Sequence, residues 1–237
     1  MKILILIFIT FNFLFANFDL KMQKTTILDV NNKTAKINIP NLITGQSGIV
    51  IKDINENSVM LTQASVIESN NLNSTIQFSE KPLLQQDALP TSKLKPKDGD
   101  NFILNHLYNT SLLIVPNPKA KLSVQELFPK QNFLDEDFFA SYLKLNNKPV
   151  PSQEDISEFA LTHQMGTIFI VVQNNLFIVD SLSFKILDTI LIDNDDKNSA
   201  VPFLTKIEKI ETNILDFGSD EIENYDLYYL KLLGIIK

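Results

Sequence analysis

The chain has no cysteine. That excludes disulfides, thiolate metal sites, cysteine nucleophiles and a lipid-modified cysteine within it, so its fold must hold by packing and hydrogen bonding alone. It has no arginine either, and all 21 basic residues are lysine. Paired recognition of phosphate and carboxylate leans on the guanidinium fork, and its absence argues against a nucleotide site. Tryptophan is missing, and 17 phenylalanines carry most of the aromatic volume. Positive charge is in deficit, with a formal net charge of −7 over 237 residues. An acidic chain does not gain affinity for nucleic acid by neutralising phosphates, so no nucleic-acid partner is expected. With 44% hydrophobic residues the chain can build a sizeable core.

The most informative stretch is the first. Lys2 gives a positive start, Ile3 to Phe15 is apolar except for Thr10 and Asn12, and Ala16 precedes a polar-mixed Asn17–Phe18–Asp19. This is the layout of a secretory signal peptide, with cleavage expected after Ala16. The run is shorter than the roughly 20 residues a membrane-spanning helix needs. Export is therefore expected, with the remaining 221 residues forming the mature body.

From Lys24 to about Pro116 short runs alternate with period two and are separated by Asn31–Asn32, Asn55–Glu56–Asn57 and Asn70–Asn71. Short strands at this spacing predict a small β-barrel or sandwich over 17–117. Leu83–Asp100 interrupts it as a long exposed loop between strands or a segment covering the barrel mouth, in which Lys93, Lys95 and Lys97 alternate. Pro116–Asn117–Pro118 marks the expected boundary. Over 118–237 the pattern predicts an α+β domain, with helices preceding a short antiparallel sheet. Its first helix is expected near Val124–Phe128 and a second over Phe138–Lys144. A third opens at Ser152, with Asp155 completing a capping box. Three strands are expected over Thr167–Val172, Leu176–Asp180 and Ser183–Ile192, and a final amphipathic helix near 222–233.

Candidate chemistry thins out on inspection. Ser141–Tyr142–Leu143–Lys144 fits S-x-x-K, but the S-D-N and K-T-G elements that accompany it in penicillin-binding enzymes are absent. A calcium loop starting at Asp193 would need Gly and Glu where Asn198 and Leu204 stand. His106 and His163 are the only histidines, and neither has a second histidine at ligand spacing, so no metal is expected. Gly45–Gln46–Ser47–Gly48 lacks the lysine of a phosphate loop and reads as a turn. No cofactor and no enzyme activity are expected.

Lysine is what the chain has to offer. Lys237 ends the sequence, presenting an ammonium close to a carboxylate, and Lys93, Lys95 and Lys97 form a second basic stripe. Three stretches carry a resemblance. They are Thr44–Val50, the block from Leu89 to Asn117 around Lys95–Asp100, and Val179–Leu187. In their order and spacing, after the leader, the chain resembles the N-terminal domain family of bacterial plasminogen-binding surface proteins. The resemblance implies export to the cell surface or outer membrane and capture of host plasminogen, through its kringle modules, by lysines such as Lys237, Lys93, Lys95 and Lys97. It carries no catalytic residues. The alternative expectation is a periplasmic or outer-membrane-associated structural protein with another partner.

Overall fold

The computed structural model describes residues 20–80, 94–194, 198–208 and 222–237. The expected leader lies outside them. Six strands come first: β1 (Gln23–Leu28), β2 (Thr34–Ile37), β3 (Ser47–Ile54), β4 (Asn57–Ser69), β5 (Ser74–Phe78) and β6 (Asn101–Leu104). They close into an antiparallel barrel in the order β1-β2-β5-β4-β3-β6, and β6 pairs back onto β1 from Asn101↔Thr26 to Leu104↔Gln23. The turns form because asparagine accepts hydrogen bonds from the backbone just ahead of it. Asn31 Oδ1 takes the amides of Lys33 and Thr34 at 2.9 and 2.8 Å. Asn70 Oδ1 takes those of Leu72 and Asn73 at 2.8 and 3.0 Å. Asn55 adopts φ 55° in the two-residue β3–β4 hairpin, a conformation asparagine tolerates. Alternation sends Ile27, Ile37, Val50, Val66, Ile76 and Phe102 into a filled interior.

The second half is an α+β unit built on a five-stranded sheet. Its strands are β7 (Thr110–Ile114), β8 (Asn132–Leu134), β9 (Thr167–Val172), β10 (Asn175–Asp180) and β11 (Ile186–Leu191), in the order β11-β10-β9-β7-β8. As expected, β9, β10 and β11 are antiparallel neighbours. β7 runs parallel to both β8 and β9, so the whole sheet is mixed. Thr110–Ile114, which the sequence places on the barrel side of residue 117, is thus hydrogen-bonded into the second sheet. The chain leaves the barrel through residues 105–109.

Helices cover both faces of this sheet, which is why all six residues of β9 are buried. Leu113, Phe169, Val171 and Ile178 pack with Ala120 and Val124 of α1 (Pro118–Leu127). Leu112, Ile168, Ile170 and Val179 face the opposite layer. That layer holds Phe139 of α2 (Glu136–Leu145), Phe159 of α3 (Gln153–Thr162) and Tyr225 and Tyr229 of α4 (Tyr225–Leu232). α1 is longer than the Val124–Phe128 turn expected from hydrophobic pattern. Asn117 Oδ1 caps the amide of Ala120 at 2.9 Å and Pro118 occupies the first turn, so the residues read as a boundary start a helix. α3 carries the expected capping box between Ser152 and Asp155.

Candidate functional site

The expected lysines fall on both halves of the molecule. Lys93 lies outside the described residues. Lys95 and Lys97 are exposed on the segment entering β6 and form no ion pair among the described residues. That segment is pinned. Asp98 Oδ1 accepts the Val30 amide at 2.7 Å, the Gly99 amide donates to the Ile27 carbonyl at 3.1 Å, and the Lys97 amide donates to Asp100 Oδ2 at 2.9 Å. Gly99 turns with φ 92°. The two ammonium groups therefore stand on a stiff base, and ordering them for a partner costs side-chain entropy but little backbone entropy.

Lys237 follows α4 on the second sheet. Tyr225 and Tyr229 anchor that helix, the Tyr225 hydroxyl donating to the Val171 carbonyl at 2.8 Å and Tyr229 to Pro202 at 3.0 Å. The helix ends at Gly234, φ 71°, with the Gly234 amide on the Lys231 carbonyl and the Ile235 amide on the Leu230 carbonyl. This paired closure stops the helix and leaves Lys237 exposed. The structure thus groups Lys95 and Lys97 on one loop and sets Lys237 on a different element.

The feature that sequence reading missed is the joint between barrel and sheet. Asp180, at the end of β10, is fully buried and has no cation beside it among the described residues. Its Oδ2 accepts the hydroxyls of Ser47 from β3 and Tyr108 from the link, each at 2.5 Å. Its Oδ1 accepts the amides of Leu182 and Ser183 at 2.9 and 2.7 Å. The Tyr108 oxygen in turn accepts the Ser47 amide at 2.9 Å, and the Ser183 hydroxyl donates to the Gly45 carbonyl at 2.8 Å. Burial pushes the Asp180 carboxyl above its ordinary range, while the hydrogen bonds from Ser47, Tyr108 and Ser183 pull it back. Burial, then the neighbouring Asp180 charge, drives the Tyr108 phenol well above its usual value, so it stays a donor. Four donors converging on one carboxylate replace the water it has lost.

Each of the three stretches that carry the resemblance contributes to this joint. Gly45 and Ser47 come from the first, Tyr108 from the second, and Asp180 and Ser183 from the third. The turn at 181–184, with Phe184 at φ 53°, is shaped by Asp180 and shortens the third strand, expected from Ser183, to Ile186–Leu191. The signal available in sequence was the presence of polar residues in otherwise apolar runs, Asp180 after Leu176–Val179 above all.

Two other candidates, Ser141 and His163, have structural partners. The Ser141 hydroxyl donates to the Asp137 carbonyl at 2.7 Å. His163 packs at a tilt against Phe159 with ring centroids 4.2 Å apart, its Nδ1 2.9 Å from the Phe159 carbonyl oxygen. Among the described residues no cluster of three or more His, Cys, Asp or Glu could hold a metal ion, and no helix is long and apolar enough to cross a membrane.

These features define a class by architecture: a closed β-barrel joined through a buried carboxylate to a mixed sheet layered with helices. The chain belongs to the family described as plasminogen-binding protein pgbA N-terminal, whose profile matches residues 22–233. Two proteins named plasminogen-binding protein PgbA are similar to it, one from Helicobacter pylori strain J99 and one from strain 26695. Each is 24% identical over 205 residues, covering 85% of this chain and 45% of the relative. The chain thus spans less than half the length of the curated relatives it matches. No solved structure matches it.

Proposed function

We propose that this protein is exported and, at the cell surface or outer membrane, captures plasminogen without catalysis by offering lysine ammonium groups to kringle modules. The observation that carries this reading is the family match over 22–233, nearly the whole body that would remain after the leader. The leader at 1–16 supports export, and the exposed Lys95, Lys97 and Lys237 support the lysine mechanism. In this reading the barrel and the sheet are two platforms that display amines. An ammonium engaged by carboxylates gains from charge-assisted hydrogen bonds, and its methylene stem gains from aromatic contact. Together these exceed the roughly 0–1 kcal/mol of an ordinary exposed ion pair.

The test uses residues 17–237 captured on a sensor surface with plasminogen flowed over it. Combined substitution of Lys93, Lys95, Lys97 and Lys237 by alanine is expected to weaken binding by at least tenfold. Free 6-aminohexanoate, a lysine analogue, should displace plasminogen from the unsubstituted protein. Binding that survives both contradicts the mechanism. Export is checked separately by sequencing the N-terminus of the protein recovered from cell fractions. Cleavage after Ala16 supports it, and an intact Met1 in the cytosol contradicts it.

A further inference from the structure

A groove of about 1150 Å³ runs between the lead-in to β1, the 105–109 link, the C-terminal end of α1 and strands β10 and β11. Leu20, Met22, Leu127, Phe128, Ile190 and Leu191 are among its walls. Three of these are large hydrophobic side chains left open to solvent, Leu191 at 76%, Met22 at 64% and Leu127 at 52%. Single exposed apolar residues are ordinary, but three lining one concavity whose exposed surface is mostly apolar make a site able to take an apolar body.

The polar part of the groove narrows the choice. Its charged residues are Lys21, Lys130 and Asp188. A chain of net charge −7 therefore places two cations against one anion here, a local reversal of its overall sign. Lys130 is exposed and forms no ion pair among the described residues. His106, on the link, also lines the groove, and its Nδ1 is buried with no hydrogen-bond partner among the described residues. A mostly apolar groove with cationic polar groups is complementary to a molecule of the opposite arrangement. We infer that this groove binds a monomeric single-chain amphiphile with an anionic head, of the long-chain carboxylate class, its alkyl chain along Leu127, Phe128 and Leu191 and its head toward Lys130. This site is separate from the lysine display and does not depend on it.

The probe is cis-parinaric acid, whose fluorescence rises in an apolar environment, titrated into residues 17–237 below the micelle concentration and displaced by saturated alkyl carboxylates. Saturable one-to-one binding is expected. Affinity should climb with chain length by up to about fourfold per methylene that the groove buries. The alcohol of equal chain length should bind at least tenfold more weakly than the acid. Lys130→Glu should weaken the acid about tenfold and the alcohol less than twofold. Leu127→Asp with Leu191→Asp, both at exposed positions and checked for folding by circular dichroism, should abolish binding of both. The inference is overturned by absence of saturable binding, by equal affinity for acid and alcohol, by binding indifferent to the Leu127 and Leu191 changes, or by capture on vesicles containing the acid with none of the monomer.

Discussion

Replacing Asp180 by alanine is expected to lower the free energy of unfolding by about 3–5 kcal/mol, because several buried donors are left without their acceptor. The carboxylate is the common acceptor for the Ser47 and Tyr108 hydroxyls and the Leu182 and Ser183 amides. Without it four donors lose their acceptor in a site closed to solvent, and each unsatisfied buried donor costs about 1–3 kcal/mol. The loss is offset in part because a buried, unpaired negative charge disappears as well, which is why the sum of four such penalties is not reached. Asp180→Asn should cost less, because its carbonyl oxygen still accepts the two amides. Tyr108→Phe should fall lower again, since it removes one donor to Asp180 and the acceptor of the Ser47 amide. Chemical denaturation followed by tyrosine fluorescence and by far-ultraviolet circular dichroism gives all three values. An Asp180→Ala loss under about 1 kcal/mol would show that the joint contributes little.

Gly48→Ala is expected to cost about 3 kcal/mol, the upper part of the range for forcing an extra carbon into a packed site. Gly48 pairs with Ala64 on β4 and Leu104 on β6, between two strands of the barrel wall. A Cβ added there would overlap the Ile103 carbonyl oxygen and come within 2.7 Å of Phe102 Cζ. The first obstacle is backbone, which cannot rotate away, so β3 and β6 must part. No unusual φ is involved, and the glycine is required by close approach alone. Gly99→Ala is the contrasting case. Its φ of 92° carries a conformational penalty, but an added carbon meets nothing within 4 Å among the described residues, so a loss of about 1–2 kcal/mol is expected. Equal losses at Gly48 and Gly99 in denaturant titrations would contradict the steric account.

What could be read from the residues was what local physics decides. The barrel strands were legible because Asn31, Asn55 and Asn70 end apolar alternations and favour tight turns. The start of α3 was legible because Ser152 and Asp155 satisfy each other's backbone within one turn. Pairing direction was not. Leu112–Leu113–Ile114 is an apolar run that would suit a barrel strand or a buried parallel strand equally, and only contact with Ile168–Ile170 of β9 makes it the latter. β8 has three residues, too few to show a period. The start of α1 was hidden because Asn117–Pro118 is a turn signal and a helix start at once.

The candidate sites divide the same way. That lysines are the chain's available chemistry could be seen from composition, since cysteine and arginine are absent. The joint could not, because Ser47 and Asp180 lie 133 residues apart and Tyr108 lies 61 from one and 72 from the other. Their meeting gives the family resemblance a physical content. Each resembling stretch supplies part of the buried joint, while Lys237 lies outside all three. A joint of this kind sets where one half stands relative to the other. Lys95 and Lys97 on the barrel and Lys237 beyond α4 are then displayed from one frame.

Differential scanning calorimetry of residues 17–237 tests that frame most directly. A barrel and a sheet tied through Asp180 should melt as one cooperative unit, with a calorimetric enthalpy equal to the van't Hoff enthalpy. Two resolved transitions in the unsubstituted protein, unmoved by Asp180→Ala, would contradict it.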